Sequence, residues 1–246
     1  MEPRYGKQYC DLYLRHWWWR AREEALVRVL RRHTKQQCRL RILDVGCGDG
    51  LFFPRLAEFG DVEGLEPDQQ LLDTSSLHAS KIYTAPFDAN FRPGKRYDLL
   101  LMLDVLEHLD DAPQALACAH ALLESQGALL LTVPAFQAIW TNHDVINEHR
   151  MRYRRKILFP LLRNAGFSIR EAKYWFQWTF PVKFATGFWE KIRNAQPSLP
   201  QIPPNWMNRL LYHMSRLELK TLGASGIPFG STLMVYCVRD PEATTR

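Results

Sequence analysis

The chain has 246 residues, 46% apolar and 24% charged, with a net charge of +6. That length can bury one full core with a smaller appendage, and the composition excludes disordered, fibrous and membrane-embedded classes. Five scattered cysteines (Cys10, Cys38, Cys47, Cys118, Cys237) form no CxxC pair, which argues against a disulfide framework or zinc site and for a reducing compartment.

The first forty residues read as a helical cap. Leu26, Val29 and Leu30 share one helical face with arginines opposite, and Trp17, Trp18 and Trp19 are too close in sequence to share a face. The N-terminus carries no apolar stretch of a signal peptide, and no apolar run reaches the ~18–20 residues that span a bilayer, so a cytoplasmic location is expected. Basic residues crowd this region and the run from Arg150 to Lys156, suggesting either a surface that meets something negative or solvated helix faces.

From residue 41 the pattern alternates. Strands are expected at Leu40–Val45, Val62–Leu65, Ile82–Thr84, Tyr97–Leu103 and Ala128–Val133. Helices are expected at Leu51–Phe59, Gln69–Leu77 and Ala112–Glu124. Strands this apolar, alternating with helices, imply a parallel sheet covered on both faces. A loop follows from Ala135 to Arg150, then a helix from Arg152 to Ala165 stopped by Gly166, and a strand from Phe167 to Tyr174. Residues 175–228 are rich in aromatics and proline and read as a helical insertion before a last strand, Ser231–Arg239. The expected fold is α/β, a doubly wound, mostly parallel seven-stranded sheet. Its parts are an N-terminal cap (1–40), the core (41–174), the insertion (175–228), and the last strand with its tail (229–246).

The chemistry starts at Leu43-Asp44-Val45-Gly46-Cys47-Gly48-Asp49-Gly50, where the first strand ends and open α/β sheets bind ligands. Glycine lets the backbone turn tightly and approach a ligand without a Cβ. A dinucleotide fingerprint would need glycine at position 51, which is Leu51. Glycine at position 50 and the acid Asp44 suit a positively charged amino-acid cofactor better than a pyrophosphate. The segment Gly64-Leu65-Glu66-Pro67-Asp68 ends the second strand with an acid, and Tyr97 to Leu103 is followed by Asp104-Val105-Leu106-Glu107-His108.

These three matches, in order, resemble the class I methyltransferases that use S-adenosylmethionine (SAM). The resemblance implies that Asp44, Gly46, Cys47, Gly48 and Asp49 cradle the methionine part. It places Glu66, with Pro67, at the ribose, Asp88 and Phe87 at the adenine, and Leu103 and Asp104 where cofactor and acceptor meet. His108 is a candidate for acid–base work, against a structural role for the Glu107–His108 pair.

The stretch from Pro134 to Tyr153 is similar to a methyltransferase subgroup with the pattern P-A-F…W…H-D…H-x-R-R-Y. Met151 stands where that pattern has its first arginine. In this reading His143 or His149 is a base, Asp144 orients it, and Trp140, Arg152 and Tyr153 hold the acceptor; the alternative is a loop ordered by its own hydrogen bonds. The insertion is a lid packed with Trp17 to Trp19, or an interfacial surface made by the aromatics of the stretch from Trp175 to Trp189 with Lys183, Lys191 and Arg193, in which Trp175, Phe176 and Trp178 are expected to be needed for membrane binding. The expected partner is a small-molecule or lipid-linked acceptor, with peripheral contact at the inner membrane face as one reading and no metal. A nucleic-acid methyltransferase is the alternative prompted by the charge, although no base-methylating motif or RNA-binding module is visible. A non-catalytic SAM-binding subunit is the third reading.

Overall fold

A computed structural model describes residues 3–34, 39–72, 76–221 and 226–240, and the side chains from position 8 onward. Cys38 and part of the helix expected over 69–77 lie outside them. The described residues form two compact units. The first comes from the stretches Met1–Lys35, Pro134–Arg152 and Lys173–Leu233, the second from Gln36–Val133, Tyr153–Ala172 and Met234–Arg246.

The second unit is built on a seven-stranded sheet. Its strands are β1 (Leu40–Val45), β2 (Gly60–Leu65), β3 (Ile82–Tyr83), β4 (Tyr97–Leu103), β5 (Leu123–Pro134), β6 (Phe167–Trp175) and β7 (Thr232–Arg239), in the order β3-β2-β1-β4-β5-β7-β6. The first five pair in parallel. The direction reverses at β7, whose Cys237 thiol meets the Leu129 carbonyl while Arg239 reaches back to Leu123. Central strands are buried through most of their length, as expected for strands with no wet face. The helices of this unit are α3 (Phe53–Leu56), α4 (Ala112–Leu122) and α6 (Arg155–Asn164). Asp111 caps α4 by accepting from the Gln114 amide at 2.8 Å, satisfying one of the amides left open at a helix start.

Several expected boundaries move, each for a local reason. The helix expected over Leu51–Phe59 keeps only four residues as α3, because the chain beyond Leu56 tightens into i→i−3 bonds (Glu58 to Arg55, Phe59 to Leu56) before β2 begins. At Gly60 a Cβ would sit 1.9 Å from the Leu40 carbonyl oxygen, so glycine is what lets the two strand starts approach. The helix expected over Gln69–Leu77 gives a single 3₁₀ turn, Gln69–Leu71, among the described residues. Strand β5 starts at Leu123 rather than Ala128, because Leu123 pairs with Tyr97 across a β-bulge. Helix α6 starts at Arg155, three residues later than expected.

The first unit is helical. The N-terminal region holds two helices, α1 (Pro3–Arg15) and α2 (Trp17–His33), with His16 between them in extended conformation and its Nδ1 accepting from the Trp18 amide. The expected loop after β5 contains a 3₁₀ turn, Gln137–Ile139, and a short helix, α5 (Asn142–Ile146). The insertion supplies α7 (Thr179–Arg193) and α8 (Asn205–Thr221). Asn208 of α8 pins the joint of α1 and α2, accepting from the Trp17 amide and donating to the Arg15 carbonyl. Glu218 accepts from the amides of Gln177 and Trp178 at the start of α7. The tryptophans meet here: Trp17 packs against Phe176 and Trp178, Trp18 against Phe176 and Trp19. Trp175 and Phe176 are buried and Trp178 half-buried, so the expected surface over Trp175 to Trp189 does not include its first three aromatics, whose expected part in membrane binding is corrected.

Candidate functional site

Strand register gathers the first group of residues. Val45 of β1 lies opposite Leu65 of β2 and Met102 of β4. One residue further along, at the carboxyl edge of three adjacent strands, stand Gly46, Glu66 and Leu103. The amides of Gly46 and Cys47 both donate to the Leu65 carbonyl, drawing the loop over the end of β2.

Gly46, Gly48 and Gly50 all have positive φ (71°, 54° and 72°), a region that side chains disfavour. At Gly46 a Cβ would also come within 2.6 Å of Val105. The Glu66 carboxylate is buried and takes the Gly48 amide on Oε2 and the Asp68 amide on Oε1, each at 3.0 Å. Burial raises its pKa, and those two amides oppose the rise. Asp44 is buried and Asp49 half-buried. Cys47 turns its thiol toward Gly64 and the Gly48 carbonyl, and burial followed by the charges of Asp44 and Glu66 pushes that thiol's pKa up.

Asp104 closes β4 with a positive φ of 58° and accepts from the Thr132 hydroxyl at 3.1 Å. Neither Thr132 nor Val105 was singled out by sequence, because each acts through a neighbour far along the chain or by filling the space a glycine leaves. Pro67 is exposed, and Asp88 spends one carboxylate oxygen on the Asn90 amide while lining a cavity of about 270 Å³ with Tyr83, Pro86, Phe91 and Arg92. His108 is half-buried on a 3₁₀ turn next to fully buried Glu107.

The second group lies in the first unit around Asp144, which is fully buried on α5. Arg152 donates to both of its oxygens (Nε to Oδ1 and a terminal nitrogen to Oδ2, each 2.9 Å) and to the Ala135 carbonyl. His149 Nδ1 lies 2.8 Å from Oδ1. An ionised carboxylate only accepts, so Nδ1 donates in this contact. Burial would raise the Asp144 pKa, but His149 and Arg152 outweigh it and hold the carboxyl well below the usual range. His143 is half-buried, pushed down to about 3 by burial and then by Lys183, and has the Asn147 amide nitrogen 3.3–3.4 Å from its ring nitrogens. Asp144 thus orients His149.

The arginine expected to grip an acceptor is instead buried and occupied by Asp144 and Ala135. Gln137, which sequence did not flag, accepts from the Arg152 amide and fixes the same turn. Tyr153, in the second unit, is buried with its hydroxyl 3.4 Å from the Leu106 carbonyl, and burial with Glu107 pushes its pKa up to about 12. Trp140 lines a cavity of about 370 Å³ with Gly187, Glu190, Lys191 and Asn194.

This strand order, ending in a glycine loop with a strand-end acid beside it, defines the SAM-dependent methyltransferase class. Residues 13–172 match the family described as a methyltransferase domain, and the chain belongs to that family. Over 98 residues it is 32% identical to the ubiquinone biosynthesis O-methyltransferase of Rhodopseudomonas palustris (strain BisB5), a stretch covering 37% of this chain and 39% of that protein. The chain thus spans about two fifths of the length of the curated relatives it matches. Among solved structures, a SAM-dependent methyltransferase from Mesorhizobium loti is similar with a TM-score of 0.54 at 17% identity, covering 87% of this chain and 98% of that one. Magnesium protoporphyrin IX methyltransferase from Synechocystis PCC 6803, solved with bound SAH, has a TM-score of 0.52 at 16% identity, covering 89% and 82%. At such identities the likeness is one of fold.

SAM is the cofactor of this class, and the residues present fit it. The turn at Gly46 has no room for a Cβ, which lets main chain approach a ligand closely, and the buried acids suit a cofactor that carries positive charge.

Proposed function

We propose that the protein transfers a methyl group from SAM to a hydroxyl of a small, lipid-linked acceptor and works at a membrane surface. The observation that carries the reading is the edge formed by Gly46, Glu66 and Leu103. There a glycine turn and a buried, amide-held carboxylate stand side by side at the ends of β1 and β2. In this reading Asp44, Gly46, Cys47, Gly48 and Asp49 hold the methionine end, with the Cys47 contribution from its backbone. Glu66, with Pro67 beside it, takes the ribose hydroxyls, Asp88 meets the adenine, and Leu103 and Asp104 flank the reacting end. The relatives' names supply the oxygen acceptor, and the exposed face described below supplies the membrane.

The bound cofactor supplies an electrophilic methyl on a positively charged sulfur. The chain must then position an acceptor oxygen and remove its proton as the new bond forms. His149 is the base in this reading, because Asp144 holds its ring through Nδ1 and proton transfer then falls to Nε2. Arg152 holds Asp144 for this task and does not touch the acceptor. Trp140 contributes apolar surface, buried Tyr153 supports the turn that carries His108, and His108 is assigned to positioning at the end of β4.

Calorimetry with SAM tests the shared premise: micromolar binding is expected, weakened 10- to 100-fold in Asp44→Ala. Wild-type affinity in that variant, or no binding at all, sinks the cofactor assignment. With a tritiated methyl donor and fractionated extract, label is expected in lipid and small molecules; label mainly in RNA overturns the acceptor class. His149→Ala should lower kcat by roughly 10²–10⁴ at unchanged SAM affinity, and unchanged turnover removes it as base.

A further inference from the structure

Helix α7 has an exposed outer face among the described residues. At ~100° per residue, Pro181, Val182, Phe184, Ala185, Phe188, Trp189 and Ile192 fall within one arc of about 160°. All seven are exposed, including Phe188 at 60% and Trp189 at 55%. The buried Gly187 faces away from that arc, where a Cβ would meet the Trp140 carbonyl oxygen at 2.4 Å. Contact with the loop at Trp140 thus fixes which side of α7 points outward. Exposed Lys191 and Arg193 border the arc, one on each side.

Helix α8 repeats the arrangement in strips. Trp206 (70% exposed), Leu210, Met214 and Leu217 form an exposed apolar strip, and Arg209, His213 and Lys220 form an exposed strip beside it. Each helix has a single acid, and neither is on these faces. Glu190 is half-buried and accepts from the Asn142 amide, and Glu218 is buried and accepts from Gln177 and Trp178. Neither helix turns an acidic side chain outward.

We infer that the outer faces of α7 and α8 dock the protein on an anionic phospholipid bilayer. Large exposed apolar surface asks for an occupant. Tryptophan and phenylalanine flanked by lysine and arginine, with every acid turned inward, fit a layer of acyl chains under negatively charged headgroups. A second copy of this surface would bring like charges together, which disfavours self-association. This inference deepens the membrane reading above and names the surface responsible, the later part of the stretch from Trp175 to Trp189 together with the outer face of α8.

The test is flotation of the full chain with vesicles of phosphatidylcholine alone or with a quarter phosphatidylglycerol. Wild type should float with the anionic vesicles and bind the neutral ones at least tenfold more weakly. Phe188→Ser/Trp189→Ser should abolish flotation, and Lys191→Gln/Arg193→Gln should weaken it by about 30-fold, roughly fivefold per cation. All four positions are exposed, and SAM calorimetry on each variant confirms the fold and reads the cofactor assignment independently of vesicles. Loss of SAM binding with intact flotation counts against the enzyme reading alone. The docking proposal is overturned if wild type fails to float or if the Phe188/Trp189 variant floats as wild type does. It is equally overturned if light scattering shows a dimer that the variant dissolves while neither protein binds vesicles.

Discussion

At the scale of single residues, Asp144 carries the most charge chemistry in the smallest space. Its carboxylate balances Arg152 in a site without solvent and orients His149. Asp144→Asn would leave the guanidinium buried and uncompensated, and about 3–5 kcal/mol of stability should be lost at neutral pH, read by urea unfolding. The pH dependence follows from the lowered carboxyl pKa. The unfolded group titrates near 3.8, so the stabilisation is fully present above that pH and is lost as pH falls through the lower folded value. Wild type and Asp144→Asn should therefore converge only below pH 3.8. The histidine and aspartate were legible in sequence as residues of the right type in one polar loop. Which histidine faced the aspartate, and that the arginine served it too, depended on the fold of α5, which local sequence did not reveal.

Among elements, the readable ones were those whose pattern is decided locally. Strands β1, β4 and the glycine loop follow from apolar runs and turn chemistry within a few residues. Helix α3 and the start of β5 were misjudged because sheet contacts settle them: Gly60 against Leu40, and Leu123 against Tyr97. Phe136 also has a positive φ of 61°, which its residue type does not announce. Gly187 shows the same override in a helix. Alanine in a helix interior ordinarily stabilises by about 1 kcal/mol over glycine. Here the added methyl would run into the Trp140 carbonyl at 2.4 Å. Gly187→Ala should instead destabilise by about 1–3 kcal/mol. Thermal unfolding followed by tryptophan fluorescence checks it, and an increase in Tm would mean that the contact is looser than described.

For the whole molecule, cofactor binding and folding are linked. A ligand that binds only the folded chain adds about 2.7 kcal/mol at a hundred times its Kd. SAM at that excess should raise the unfolding free energy by this amount. Gly46→Ala, which puts a methyl 2.6 Å from Val105 at a positive φ, should abolish the gain. A gain that survives in the variant would place the ligand elsewhere. Fold class was legible at this scale because alternation of strand and helix is a property of the chain as a line. Among the described residues no helix is long and apolar enough to cross a membrane. The outward face of α7 was hidden, because only the packing of Gly187 tells which aromatics of the insertion are left outside.

The order of the sheet has a consequence for how the protein is made. Of the seven described strands β7 is synthesised after all the others, yet its place is between β5 and β6. While α7 and α8 are being synthesised, β5 and β6 each present an open edge to the slot that β7 will fill. Unpaired edges of that kind recruit other strands, so nascent chains stalled before Thr232 are the form most exposed to aggregation. A chain ended there would have its cofactor loop and strand-end acid already synthesised and still lack the strand that completes its sheet.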